Sequence, residues 1–253
     1  MTAWSCSSDD EETLMQIHGA TALVTGANRG LGRAFAVELL RRGATVYAGA
    51  RHPELVDVPG VRALRLDITD ATQVSAAADL AGDVDLLINN AADTAGGNLI
   101  TGDLRAIRSV MDTNYHGTLA MIRAFAPVLA RNGGGAILNV LSAAAWTTVD
   151  GNAAYAASKS AEWGLTNNVR MELAAQGTHV AALIPGLIGT QTLFDFAERQ
   201  GIEFGEGAVI DPADLVSVAL DGLEAGEVEI FDALGRKAKE SLSGPPTSFP
   251  FAV

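Results

Sequence analysis

Short apolar runs alternate with amphipathic stretches along almost the whole chain, and no other feature constrains the fold as much. The runs "TALVT" (21–25), "ATVYAGA" (44–50), "VRALRL" (61–66), "VDLLIN" (84–89), "GAILNVLS" (135–142), "HVAALIP" (179–185) and "VEIF" (228–231) have the length of strands. They are apolar throughout rather than at every second position, as in a parallel sheet covered on both faces. Helical periods fall between them, over residues 31–42, 71–80, 103–131, 152–176 and 212–223. Parallel neighbours need crossovers, and helices supply them. The expected class is α/β, a doubly wound parallel sheet of about seven strands with helices on both faces.

No internal repeat and no Pro/Gly/Ser-rich linker divides the 253 residues. One domain is therefore expected over 17–243, with a flexible polar tail at 1–16, including the solvated "DDEE" at 9–12, and a second tail at 244–253. The formal net charge of -13 argues against a nucleic-acid partner or an anionic membrane surface, both of which call for a basic face. Cys6 is the single cysteine and has no intrachain partner. No apolar run approaches the roughly 20 residues of a membrane span. The acidic opening lacks the basic start and apolar middle of a secretory signal, so the expected location is cytoplasmic. His18, His52, His116 and His179 are scattered without ligand spacing, so no metal is expected. "GGG" at 133–135 reads as the turn from a helix into a strand. "RHPELVDVPG" is too short and too rich in proline for a full crossover helix.

The first strand runs into "TGANRGLG" (25–32), and a helix follows. Gly26, Gly30 and Gly32 thus occupy a strand-to-helix turn, where backbone can approach a pyrophosphate and the helix start offers unpaired N–H groups. The Gly-x-x-x-Gly-x-Gly spacing resembles the glycine loop of the short-chain dehydrogenase/reductase family. That resemblance covers about residues 18–231 and implies a Rossmann fold. It also implies a nicotinamide dinucleotide bound by Gly26, Asn28, Arg29, Gly30, Leu31 and Gly32.

An Asp or Glu at the end of the second strand would mark NAD. Here Ala50 takes that place and Arg51 follows. Guanidinium groups hold a 2'-phosphate with paired, charge-assisted hydrogen bonds. Arg29 and Arg51 match the basic positions of NADP-preferring members, so NADP(H) is expected over NAD(H). By the same resemblance Asp67 and Ile68 lie beside the adenine, and Asn90, Ala91 and Ala92 follow the fourth strand, with Ala92 in place of the usual glycine. Pro185 and Gly186 match the family's turn beneath the nicotinamide, and Ile188 and Thr190 would meet its carboxamide.

"YAASKS" (155–160) places Tyr155 and Lys159 one helical turn apart, on one face. A free tyrosine titrates near about pH 10, and a neighbouring ammonium favours the phenolate. In the family this pair is the acid and its tuner, and Lys159 also holds the nicotinamide ribose. Ser142, 13 residues before Tyr155, matches the substrate-binding serine, and Asn114 in "DTNYHGT" matches the asparagine that holds a water in the proton relay.

Around these residues Trp146, Thr148, Val149, Leu187, Leu193, Phe194 and Phe196 form either an apolar pocket or a core or oligomer interface. A hydrophobic carbonyl substrate fits the first alternative. The expected activity is reversible, NADP(H)-dependent interconversion of a ketone or aldehyde with an alcohol. The alternatives are another reaction on the same fold (dehydration, epimerisation, reduction of an acyl-carrier-bound ketone) and a non-catalytic NADPH sensor. The long helices at 103–131 and 152–176 resemble those of the family's four-helix interfaces, which implies a homodimer or homotetramer. "FDALGRKAKESLSG" (231–244) is a candidate additional contact.

Overall fold

A computed structural model describes residues 15–95, 97–149 and 151–244. The expected tails lie outside the described residues except for Met15, Gln16 and Gly244, and Met15 packs against the core.

Seven strands form the main sheet: β1 (Thr21–Thr25), β2 (Thr45–Ala50), β3 (Arg62–Arg65), β4 (Leu86–Asn89), β5 (Ala136–Val140), β6 (His179–Ile184) and β9 (Glu229–Phe231). Their order is β3-β2-β1-β4-β5-β6-β9 and every pairing is parallel. The chain winds outward from β1 to β3, then returns to β4 on the other side of β1. That reversal opens a crevice at the carboxyl ends of β1 and β4, where doubly wound sheets bind their ligands. Apart from exposed ends at Thr45 and in β3, the strands are largely buried, as their apolar runs require.

Helices α1 (Gly30–Arg41) and α7 (Pro212–Glu224) cover one face, burying Phe35, Leu39, Leu215 and Leu220. On the other face, α2 (Ala71–Leu80), α4 (Thr118–Arg131) and α5 (Ala153–Leu173) enclose Val74, Met121, Phe125, Leu129 and Val169. Between β2 and β3 only the single 3-10 turn Pro53–Leu55 forms, as the prolines imply. Gly133, Gly134 and Gly135 have φ of 97°, 109° and 62° and turn α4 into β5.

One feature departs from the sequence reading. The stretch expected as one helix over 103–131 is α3 (Leu104–Met111), a π-helical turn at Asp112–Gly117, and α4. Residues 187–196 begin with β7 (Leu187–Ile188), which pairs with β8 (Val209–Ile210), and continue into α6 (Gln191–Gln200). The segment proposed as an added oligomer contact contains α8 (Ala233–Glu240), which packs on its own chain. Lys239 Nζ lies 2.8 Å from the Glu229 carboxylate and 4.9 Å from the Trp146 ring centroid. Among the described residues no helix is long and apolar enough to cross a membrane, and no His/Cys/Asp/Glu group has the arrangement of a metal site.

Candidate active site

A groove of about 1240 Å³ runs over the carboxyl ends of the strands, from Arg51 and Asp67 past the glycine loop to Ser142, Tyr155 and Leu193. Its floor is tied down by Thr25. The Thr25 Oγ1 accepts the amides of Asn90 and Ala91 at 2.9 and 3.0 Å, and the Asn90 Nδ2 donates to the Thr25 carbonyl at 2.8 Å. The last residue of β1 and the turn after β4 are thereby locked across the crevice.

The glycines are dictated by space. Gly26 and Gly30 have φ of 67° and 52°, in the left-handed region where a side chain is strained. At Gly32 a Cβ would collide with the Gly26 carbonyl and come within 2.5 Å of Asn90 Nδ2. Asp70, Asp103, Asp211 and Asp232 cap α2, α3, α7 and α8 with their carboxylates, and Thr190 caps α6. By contrast, Arg29 precedes α1 without a side-chain cap, as does Asn152 before α5. Arg29 and Asn152 both line the groove. The first-turn amides of α1 are thus left for a ligand, and an anion suits them. This cradle fits the pyrophosphate of a dinucleotide.

Arg29 and Arg51 are exposed and line the groove, beside the buried Ala50. Asp67 and Ile68 line it too, although the Asp67 Oδ1 already accepts the amide and hydroxyl of Thr69 at 3.0 and 2.7 Å. Asn28, Leu31, Asn90, Ala91, Ala92, Gly186, Ile188 and Thr190 complete this part of the wall. Pro185 does not line it: the residue is buried and its carbonyl accepts the Ala143 amide at 2.8 Å. Gly186 has a structural reason of its own, since a Cβ there would lie 2.5 Å from Leu234 Cβ of α8.

Ser142, just past β5, and Tyr155 and Lys159, on the first turns of α5, face the same groove. Ser142 Oγ accepts the Ala144 amide at 3.1 Å, which fixes its rotamer and leaves its own hydrogen to donate. The Lys159 Nζ lies 5.9 Å from the Tyr155 ring centroid and donates to the Val140 carbonyl at 2.8 Å and to Glu162 Oε2 at 2.7 Å. Burial works against this ammonium, yet Glu162 and Tyr155 hold it above the ordinary lysine range.

Asn114 is fully buried and does not line the groove. Its Oδ1 accepts the Asp93 amide at 2.8 Å, and its Nδ2 donates to the Asp93 carbonyl and to Ser158 Oγ at 2.9 and 2.8 Å. With the side chain spent in this way, any relay role falls to its backbone. Asn114 lies within the π-helical turn, a geometry that disturbs the regular carbonyl ladder and recurs at functional sites.

Of the expected pocket residues, Val149, Leu187, Leu193 and Phe196 wall the groove near Tyr155. Trp146, Thr148 and Phe194 do not. Trp146 meets Trp163 edge to face at 5.7 Å and Phe231 at 6.1 Å, an arrangement that holds it behind the site. Phe194 is 48% exposed, because the helical turn of α6 puts Leu193 and Phe196 on one face and Phe194 on another. The reading by type missed the buried Thr25 and Glu162, and it missed Asp93, Arg105 and Arg108, which line the groove. For Glu162 a signal was available: it falls at i+3 from Lys159, on the same helical face.

A switch-point crevice with an uncapped helix start, and a Ser–Tyr–Lys set at its inner end, define a nicotinamide-dependent oxidoreductase. The short chain dehydrogenase family model matches residues 20–201. The chain is 35% identical over 182 residues to the 3-oxoacyl-(acyl-carrier-protein) reductase FabG of Staphylococcus aureus, covering 66% of this chain and 74% of that one. A short chain dehydrogenase from Burkholderia cenocepacia, solved in complex with NADP, superposes with a TM-score of 0.83 at 38% identity, over 91% of this chain and 95% of that one. The 3-ketoacyl-(acyl-carrier-protein) reductase of Brucella melitensis, complexed with NADH, gives 0.77 at 27% identity, over 86% and 98%. This chain belongs to the short-chain dehydrogenase/reductase family, and its cofactor is a nicotinamide dinucleotide, NAD(P).

Proposed function

We propose that the protein is an NADPH-dependent carbonyl reductase, reversible as an alcohol dehydrogenase. The observation that carries this reading is that Ser142, Tyr155 and Lys159 share one groove with the uncapped start of α1 and with two exposed arginines at its far end. Arg29 and Arg51 recognise a 2'-phosphate, and the apolar Ala50 offers no carboxylate to repel it. When bound, the nicotinamide supplies the hydride. Ser142 donates a hydrogen bond to the carbonyl oxygen as negative charge grows there, and Tyr155 gives that oxygen its proton. Lys159 orients the phenol and the ribose. Val149, Leu187, Leu193 and Phe196 exclude water and suit an apolar ketone.

A second reading keeps the chemistry and changes the substrate to an acyl-carrier-bound ketone. Arg105 and Arg108 of α3 favour it, because they bring cations to the rim of the groove, where an acidic carrier or its phosphate arm would approach. We further infer a single functional domain over 17–243 and assembly as a dimer or tetramer through α4 and α5, for which light scattering is the measurement.

The deciding experiment follows NADPH oxidation over a panel of aliphatic, aromatic, steroidal and acyl ketones, with acyl-carrier-bound 3-ketones included and NADH run in parallel. Turnover with NADPH on a free ketone supports the first reading, and turnover confined to carrier-bound ketones supports the second. A preference for NADH overturns the assignment of the arginines. Binding of NADPH without turnover on any member favours a sensor.

A further inference from the structure

Glu162 lies on α5 one turn beyond Lys159 and forms an ion pair in which both side chains are only 2% exposed. Removing two charges from water is costly, and a small apolar residue would fill this position without that cost. The pair is well satisfied. Lys159 Nζ donates to Glu162 Oε2 and to the Val140 carbonyl at 2.7 and 2.8 Å, and Thr118 Oγ1 of α4 donates to Glu162 Oε1 at 3.4 Å. Two of the three ammonium hydrogens are thus spent beneath the site. The groups acting on Lys159 are Glu162 and Tyr155, and those on Glu162 are Lys159 and Thr118. Asp112 and His116 of the π-helical turn line the groove but make no ion pair or hydrogen bond with either member.

We propose that Glu162 is a positioning residue for proton transfer: its carboxylate anchors the Lys159 ammonium and cancels its charge, so that Tyr155 faces a neutral pair rather than a bare cation. A neutral pair stabilises the phenolate less than a lone ammonium does. Carbonyl reduction consumes the phenol, the form that a neutral pair disfavours less than a bare ammonium does. Burial pushes the Glu162 carboxyl up against the pull of Lys159, so the pairing weakens in acid, where Glu162 takes up a proton.

The inference rests on Tyr155 as proton donor, and its test needs no substrate. The chain has three tyrosines. The phenolate absorbance of the full protein minus that of Tyr155→Phe isolates Tyr155 through a pH titration. Glu162→Gln keeps the shape and removes the charge; its Tyr155 phenolate is expected to form about one pH unit lower. Glu162→Asp restores the original midpoint. The alkaline fall in ketone reduction moves down by the same amount. An unchanged midpoint in Glu162→Gln overturns the proposal. Should that variant fail to fold, Lys159→Met combined with Glu162→Leu removes the pair without stranding a charge. Its midpoint is expected to stay within about half a unit of the original, and a rise of about a unit or more would show that Lys159 acts as a bare cation. A shifted phenolate in a protein that reduces no ketone leaves this inference standing and defeats the reductase.

Discussion

Asn90 reaches across the crevice to the main chain of Thr25, donating from Nδ2 at 2.8 Å, while its own amide donates to Thr25 Oγ1 at 2.9 Å. Each residue thus holds the other at the two strand ends that frame the crevice. Replacing Asn90 by Ala leaves the Thr25 carbonyl short of a donor, at a cost of about 1–3 kcal/mol. Thermal unfolding should show a fall in Tm of about 3–8 °C, and cofactor affinity should fall with it.

Gly32 tests the cradle by volume. A methyl group there meets the Gly26 carbonyl and Asn90 Nδ2. Gly32→Ala is expected to destabilise the protein by about 1–3 kcal/mol and to weaken NADPH binding at least about tenfold in a fluorescence titration. An equivalent change at Gly164, which has open space around it, should leave cofactor binding unaltered.

Tyr155 separates chemistry from binding. Tyr155→Phe removes the proposed proton donor and little else, so kcat is expected to fall about 10²–10⁴-fold with the NADPH dissociation constant changed less than about threefold. Steady-state kinetics beside a binding titration gives both numbers.

The proposed 2'-phosphate site is tested at Arg51, which lines the groove with Arg29. Arg51→Asp replaces a phosphate partner with a repelling carboxylate, and kcat/KM for NADPH should drop about 10–100-fold while that for NADH holds or rises. The ratio measured on one ketone is the readout, and an unchanged ratio would remove Arg51 from the phosphate site.

Glu38 governs stability in acid. Hydrogen bonds from Arg41, each 2.6 Å, and from Arg42 at 2.8 Å lower its carboxyl from the ordinary 4.5 to about 2, although its own burial opposes the shift. Because the folded value is the lower one, the stabilisation is present above about pH 4.5 and is lost as pH falls toward 2. Arg41 is largely exposed and its attraction is screened, so Glu38→Gln should cost about 1–2 kcal/mol at neutral pH. Urea unfolding from pH 7 to pH 3 should show the two proteins converging.

The sequence determined the class, the order of the strands along the chain and the glycine turn between β1 and α1. The reasons are local: a strand buried on both faces reads as an unbroken apolar run, and a loop that backbone must approach closely reads as glycine. Tyr155 and Lys159 were legible because helical spacing alone puts them on one face. Trp146 and Phe194 were misplaced because residue type does not reveal which side of a turn points inward. The packing of Trp163, Phe231 and Lys239 decided the first, and the register of α6 the second. Only the tertiary structure spent the Asn114 side chain on Asp93 and Ser158, 21 and 44 residues away in sequence, and sealed Lys159 and Glu162 from water. Such facts depend on which distant surfaces meet, and burial then gives one charge pair a weight that its spacing in the chain cannot convey.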